Sequence, residues 1–107
     1  MAYRVDGVIV DADSGLPAAG LVVRAYDDDL LFDDFLGEAR TDAAGRFTVP
    51  FTEVQFMDVI ETRPDVYLRI FDPSGATLLH STKAQVRRNA GLTEHFELRI
   101  RTVCPPS

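Results

Sequence analysis

The apolar residues of this chain fall into short runs, and turn signals separate these runs about every ten residues. In the later runs, V-Y-L-R-I-F at 66–71 and H-F-E-L-R-I-R-T at 95–102, polar and apolar residues alternate. Successive side chains of a strand point to opposite faces of a sheet, so alternation indicates strands with one buried face. We therefore predict an all-β fold, a single antiparallel, Greek-key-like β-sandwich of about seven strands.

The predicted strands divide the 107 residues into one domain and a short tail. They cover residues 4–10, 21–26, 36–41, 46–50, 66–71, 77–81 and 95–102. The longest irregular stretch lies between the fourth and fifth strands, and its apolar spacing also permits one short helix within 52–61. We expect residues 1–103 to form the sandwich and residues 104–107, C-P-P-S, to be a disordered tail.

Three predicted turns share one chemistry, an Asp followed closely by a Gly, at 11–15, 42–45 and 72–75. An Asp that opens a turn accepts backbone N–H bonds, and the Gly that closes it can adopt a positive φ. We therefore interpret Asp42 and Asp72 as turn residues rather than as metal ligands.

The order of strands and connections predicts which loops meet. If each connection returns the chain to the opposite end of the sandwich, the three Asp-Gly turns lie together at one end. The long segments 27–35, 51–65 and 82–94 then lie together at the other end, where sandwiches commonly place their functional loops.

The segment with the most distinctive chemistry is Y-D-D-D-L-L-F-D-D-F-L-G at 26–37. Its five carboxylates lie beside five large apolar residues that favour burial and so fix the segment in place. Fixed carboxylates repel one another unless positive charge lies between them, and few Lys or Arg residues are near in sequence. A hard cation is the natural counter-ion, and Ca²⁺, which takes about six to eight oxygen ligands, suits a dense oxygen cluster.

The candidate Ca²⁺ ligands are this segment's carboxylates together with two from the segment 51–65. They are Asp27, Asp28, Asp29, Asp33, Asp34, Asp58 and Glu61. The same end would also hold Glu53 and Asp65. The alternative is an acidic loop held by arginine pairing and by solvent.

The segment 82–94 carries Lys83, Arg87 and Arg88. Three interpretations of these residues remain open from the sequence. They belong to a solvated loop, they balance the charge of the acidic segment as a counterweight, or they form a docking patch.

Four motifs occur in a fixed order: G-V-I-V at 7–10, G-L-P-A-A-G at 15–20, V-V-R-A-Y-D at 22–27 and T-D-A-A-G-R-F at 41–47. In this order they resemble the transthyretin-like (prealbumin-like) sandwich domains, which include carboxypeptidase regulatory-like modules. The resemblance covers the first half of the chain well and implies a prealbumin-like sandwich.

A second, local resemblance concerns residues 26–38. Their pattern, aromatic-Asp-x-Asp, a spacer and then Asp-x-hydrophobic-Gly, is similar to the third calcium loop of the calcium-dependent lipid-binding domains of protein kinase C and synaptotagmin. The spacer in this chain is one residue shorter than the spacer in those domains. The resemblance implies that Asp27, Asp29 and Asp34 are calcium ligands.

Enzymes of the transthyretin-like fold are poorly matched. The hydroxyisourate hydrolases use several His and Arg residues and end in Y-R-G-S, whereas this chain ends in V-C-P-P-S and has only His80 and His95. Both histidines lie on or beside predicted strands. We expect no enzyme, and keep a small-substrate hydrolase of this type as a remote alternative.

Charge and composition limit the partners. A net charge of −6 argues against nucleic acid, which needs a basic face. The chain has one cysteine, no apolar signal run at its start and no stretch near the roughly 20 apolar residues of a membrane span. We expect a soluble monomer in an unknown compartment.

The resulting hypothesis is a non-catalytic calcium-binding module, in which the bound ion orders the loop. Leu30, Leu31 and Phe32 would then face a protein, glycan or membrane partner. The alternative is a metal-free structural or protein-interaction domain.

Overall fold

The strands of the sandwich follow the alternation in the sequence. The computed structural model describes residues 2–28, 33–52 and 63–102. Its strands are β1 Ala2–Asp11, β2 Val22–Asp27, β3 Asp34–Arg40, β4 Arg46–Thr52, β5 Val66–Phe71, β6 Leu78–Ser81 and β7 Thr93–Ile100. One turn of 3-10 helix, Lys83–Gln85, lies between β6 and β7. The predicted all-β sandwich is confirmed, and each predicted strand coincides with an observed one.

Two sheets pack face to face, a three-stranded sheet in the order β4-β1-β7 and a four-stranded sheet in the order β3-β2-β5-β6. Neighbouring strands are antiparallel except for β1 and β7, which run parallel. The parallel pair arises because β6 ends at the same end of the sandwich at which β1 begins. The connection from β6 therefore starts β7 beside the start of β1, where Arg4 N donates to Leu92 O at 2.7 Å.

The inward side chains of both sheets form one apolar core. In β1 and β4 these are Tyr3, Val5, Ile9, Phe47, Val49 and Phe51. In β2 and β5 they are Val23, Ala25, Val66, Leu68 and Ile70. Each large side chain buried in this way stabilises the fold by about 1.5–3 kcal/mol. Gly7 takes one inward position of β1 because a Cβ there would collide with the carbonyl oxygen of Phe96.

The Asp-Gly turns lie together at one end of the sandwich, as predicted, and we call this the turn end. Ile9 N donates to Gly45 O at 2.8 Å, and Gly20 N donates to Thr41 O at 3.0 Å. The Arg40 guanidinium donates to Pro73 O at 2.9 Å and so ties the third turn to the others. The three connections 12–21, 41–45 and 72–77 therefore form one contiguous surface.

Two expectations fall on residues that are not described. The short helix within 52–61 and the tail 104–107 lie in the segments 53–62 and 103–107, apart from Thr52, which is the last residue of β4. Among the described residues, no helix has the length and apolar character needed to cross a membrane.

Candidate functional site

The end of β2 places one carboxylate inside the protein. The alternation that buries Val23 and Ala25 also buries Asp27, whose exposed fraction is 0%. Asp27 Oδ1 accepts a hydrogen bond from Asp65 N at 2.8 Å, and Asp28 N donates to Asp65 O at 2.8 Å. A buried carboxylate is costly without such bonds, so β2 and the start of β5 are joined firmly at this point.

Arg88 connects two further carboxylates. Its Nη2 lies 3.2 Å from Asp28 Oδ2, and its Nη1 lies 3.1 Å from Asp65 Oδ2. Asn89 N donates to the other oxygen of Asp65 at 2.9 Å. The guanidinium fork thus bridges Asp28 and Asp65, and the β6–β7 connection is held to the acidic segment.

Lys83 makes a second bridge. Its Nζ lies 2.8 Å from Asp33 Oδ2 and 3.9 Å from Asp28 Oδ1. The Tyr67 hydroxyl donates a hydrogen bond to the same Asp33 oxygen. Burial, and then this bond to a carboxylate, raise the pKa of Tyr67 well above its ordinary value, so the hydroxyl stays protonated and donates.

Asp34 completes the group, which we call the acidic end: Asp27, Asp28, Asp33, Asp34 and Asp65. Asp34 begins β3 and is the Cα partner of Asp27 in the β2–β3 ladder. The structure therefore brings together four of the seven candidate ligands, and it adds Asp65. The other three, Asp29, Asp58 and Glu61, lie outside the described residues.

Few Lys or Arg residues are near the acidic segment in sequence, but two reach it in the fold. Lys83 and Arg88 both reach it, and Lys83 does so from 50 positions away along the chain. The interpretation of this basic segment as a counterweight is confirmed for these two residues. Arg87 instead donates to Glu94 Oε1 at 3.1 Å and to His95 O at 2.6 Å.

Tyr67 is the site residue that sequence reasoning missed. The alternation of 66–71 could have placed it on the outer face of β5, but nothing in the sequence pairs it with Asp33. Its partner depends on how β3 and β5 flank β2 in the four-stranded sheet.

In the described part of the acidic end, three carboxylates pair with side-chain cations rather than being arranged for a metal. Within residues 2–28, 33–52 and 63–102, no three carboxylates, imidazoles or thiols are placed to hold a metal ion together. The oxygens of Asp28, Asp33 and Asp65 instead face Lys83 and Arg88.

The histidines lie in strands, as predicted, and do not form a cluster. His80 is in β6 of the four-stranded sheet, and His95 is in β7 of the other sheet. His95 Nδ1 lies 2.8 Å from Asp6 Oδ1. The Asp-Gly turns also behave as predicted, since Asp42 Oδ1 accepts from both Ala44 N and Arg46 N at 2.9 Å.

Comparison with known proteins supports the fold. No family model and no curated protein matches the chain. Among solved structures it is similar to a 9R-lipoxygenase from Cyanothece PCC8801, with a TM-score of 0.71 and 21% sequence identity. The match covers 91% of this chain but only 16% of the lipoxygenase chain. At that identity the similarity establishes a shared β-sandwich, and it does not confirm the resemblance to transthyretin-like domains.

Proposed function

We propose that this chain is a non-catalytic, monomeric β-sandwich module whose acidic end binds Ca²⁺. The observation that supports the proposal is the convergence of Asp27, Asp28, Asp33, Asp34 and Asp65. Asp28, Asp33 and Asp65 keep only 19%, 20% and 22% of their side-chain surface exposed, so their charges are poorly screened by solvent. Lys83 and Arg88 bring only two positive charges to these five carboxylates, so a divalent ion would meet negative charge that is still uncompensated.

Calcium would replace Lys83 and Arg88 as the counter-ion. Asp28 and Asp33 would supply oxygens from the described residues, and Asp29 follows Asp28 directly in the chain. Asp58 and Glu61 belong to the segment between β4 and β5. Together these carboxylates could approach the roughly six to eight oxygens that Ca²⁺ requires.

The bound ion would stabilise the loop that carries Leu30, Leu31 and Phe32. This loop is the proposed contact with a protein, glycan or membrane partner. The transthyretin-like relationship stands as a further part of the proposal, and it is supported by the ordered motifs of the first 47 residues.

The second candidate is a metal-free structural or protein-interaction domain. The bridges from Lys83 and Arg88 favour it, because they already give Asp28, Asp33 and Asp65 each a positively charged partner without any ion. In this case the salt bridges themselves would fix the β6–β7 connection.

Thermal unfolding separates the two candidates. With CaCl₂ at 100 times the Kd, binding to the folded state adds about 2.7 kcal/mol, which corresponds to a rise in Tm on the order of 10 °C. MgCl₂ should give little change, because Mg²⁺ demands a stricter geometry. Asp29→Asn and Asp34→Asn should each abolish the Ca²⁺ shift.

The matched control is Asp13→Asn, which removes one carboxylate at the turn end, where Asp13 pairs with Arg101 at 3.3 Å. This variant should keep the full Ca²⁺ shift. Equal Tm values in CaCl₂ and EDTA for the unmodified chain would reject calcium binding and leave the metal-free domain.

A further inference from the structure

Three rows of side chains cross the outer face of the four-stranded sheet, and we call them together the arginine face. Strand register places Glu38, Arg24, Arg69 and Ser81 in the middle row. The row nearer the acidic end is Phe35, Tyr26 and Tyr67. The row nearer the turn end is Arg40, Val22, Phe71 and Leu78. Apart from Glu38, no carboxylate belongs to these rows of described residues.

The two arginines of the middle row lie over aromatic rings. The Arg24 guanidinium is 4.4 Å from the centre of the Phe71 ring, and its Nε lies 3.2 Å from Glu38 Oε1. The Arg69 guanidinium is 4.9 Å from the Tyr26 ring centre and 5.7 Å from that of Tyr67. Cation–π contacts of this kind hold each guanidinium over its ring before any partner binds.

Arg69 differs from Arg24 in having no carboxylate partner among the described residues. In the described part of the chain it donates no hydrogen bond and meets no carboxylate within salt-bridge distance. Arg24 and Arg69 are also direct cross-strand partners, an arrangement of like charges that is unfavourable without a counter-charge. Among these described residues Glu38 compensates Arg24 only. The Arg40 guanidinium donates to the carbonyl oxygens of Gly20 and Pro73, so Arg69 is the arginine of this described face that neither a carboxylate nor a carbonyl engages.

We propose that the arginine face binds an acidic segment of a partner protein, with a carboxylate of that segment paired to Arg69. A planar guanidinium matches a carboxylate with two parallel hydrogen bonds. Phe35 and Leu78, each 51% exposed, flank the arginines and would pack against apolar side chains of the segment. Tyr, Phe and Arg are the residues that dominate protein interfaces, whereas Lys, Glu and Asp are depleted there.

The charges favour a protein over other anionic partners. A net charge of −6 opposes approach to nucleic acid or to an anionic membrane, whose charge is dense and extended. A peptide segment with a single carboxylate beside apolar groups needs only the local excess of positive charge at Arg69. On the outer face of the three-stranded sheet, by contrast, Arg4 and His95 both pair with Asp6, at 3.2 and 2.8 Å.

The test is selection of random twelve-residue peptides on the purified chain, in EDTA so that calcium plays no part. Selected peptides should be enriched in Asp or Glu next to aromatic or aliphatic residues. Arg69→Glu should weaken their binding by at least about tenfold, because it places a like charge at the anchor. Arg69→Lys keeps the positive charge but loses the planar guanidinium that can make two parallel hydrogen bonds to a carboxylate. It should weaken binding less than Arg69→Glu does.

The matched control is Arg101→Glu, the same charge reversal at an arginine that is 58% exposed at the turn end. It should change peptide affinity by less than about twofold, since Arg101 does not belong to the arginine face and charges outside a contact contribute little to affinity. Equal losses in both variants, or selected peptides without acidic enrichment, would overturn the proposal.

Two further outcomes would assign the face to another occupant and so also reject the proposal. One is Arg69-dependent binding of vesicles that contain phosphatidylserine. The other is a dimer in sedimentation equilibrium that Arg69→Glu converts to a monomer. Arg69→Lys, which retains the positive charge over the tyrosine rings, keeps the test valid if Arg69→Glu fails to fold.

Discussion

The two ends of the sandwich use the same residue, aspartate, in different ways. At the turn end the Asp that opens each turn accepts a bond from backbone a few residues along, as Asp11 does when its Oδ2 accepts from Ser14 N at 2.8 Å. At the acidic end Asp33 pairs with Lys83, 50 positions away. The first arrangement is set by local spacing and makes a turn. The second depends on the whole fold and makes a charge cluster.

The largest effect should come from the backbone of the turn end. Gly45 has φ +77°, and a Cβ there would collide with the carbonyl oxygen of Ile9. Gly20 has φ +76°, and a Cβ added there would meet no described atom within 4 Å. We expect Gly45→Ala to lower the free energy of unfolding by about 3 kcal/mol or more, and Gly20→Ala by about 1 kcal/mol.

Urea denaturation of both variants measures the difference. Because the two glycines share one backbone conformation, the excess loss in Gly45→Ala reports the close packing of the turn against β1. Similar losses in the two variants would show that the turn end can relax, and that its rigidity does not distinguish it from the acidic end.

A smaller effect separates the two kinds of aspartate by ionic strength. Asp42→Ala removes an acceptor of two backbone N–H groups and should cost about 1–2 kcal/mol, with little dependence on salt. Arg88→Met and Lys83→Met remove the partners of exposed to half-exposed ion pairs and should each cost no more than about 1 kcal/mol. Their cost should fall as NaCl is raised from about 0.05 to about 0.5 M, because salt screens these charges.

Unfolding curves at the two salt concentrations provide the check. A cost for Arg88→Met that stays constant with salt would mean that the acidic end is held by directed hydrogen bonds, as the turn end is. The cations would then be structural, and their displacement by Ca²⁺ would be unfavourable.

The same division explains what the sequence could predict. Strand β5 is predicted to the residue, Val66–Phe71, because alternation is a local property that survives in the folded chain. The roles of Asp42 and Asp72 also follow from spacing alone. The gathering of the turns at one end required only the strand count and the reversal of direction at each connection.

The pairings of the acidic end could not be predicted in the same way. Nothing in the segment 82–94 shows that Lys83 and Arg88 reach the acidic segment while Arg87 turns to Glu94. That choice depends on the parallel placement of β7 beside β1 and on the path of the connection between the sheets. The sequence named the carboxylates, but their counter-ions are a property of the assembled sandwich.

The last and smallest effect concerns pH, to which the two ends should respond in opposite ranges. At the acidic end the pKa of Tyr67 is raised above its ordinary value of 10.0. The stability that this group contributes is therefore present below about pH 10 and is lost as the pH rises further. Tyr67→Phe should lower stability at neutral pH, because the bond to Asp33 is lost, and should flatten the alkaline decline.

At the turn end the backbone hydrogen bond from Ser14 lowers the pKa of Asp11 from 3.8 to about 2. A depressed carboxyl pKa contributes stability above the unfolded value, which is lost as the pH falls from about 4 towards about 2. Asp11→Asn should make that acid decline shallower in urea denaturation between pH 7 and pH 2. Asp13→Asn, which removes the same charge but not these hydrogen bonds, should leave the decline as it is. An unchanged slope in Asp11→Asn would contradict this prediction, because the hydrogen bonds to Asp11 would then not contribute to the acid response of the turn end.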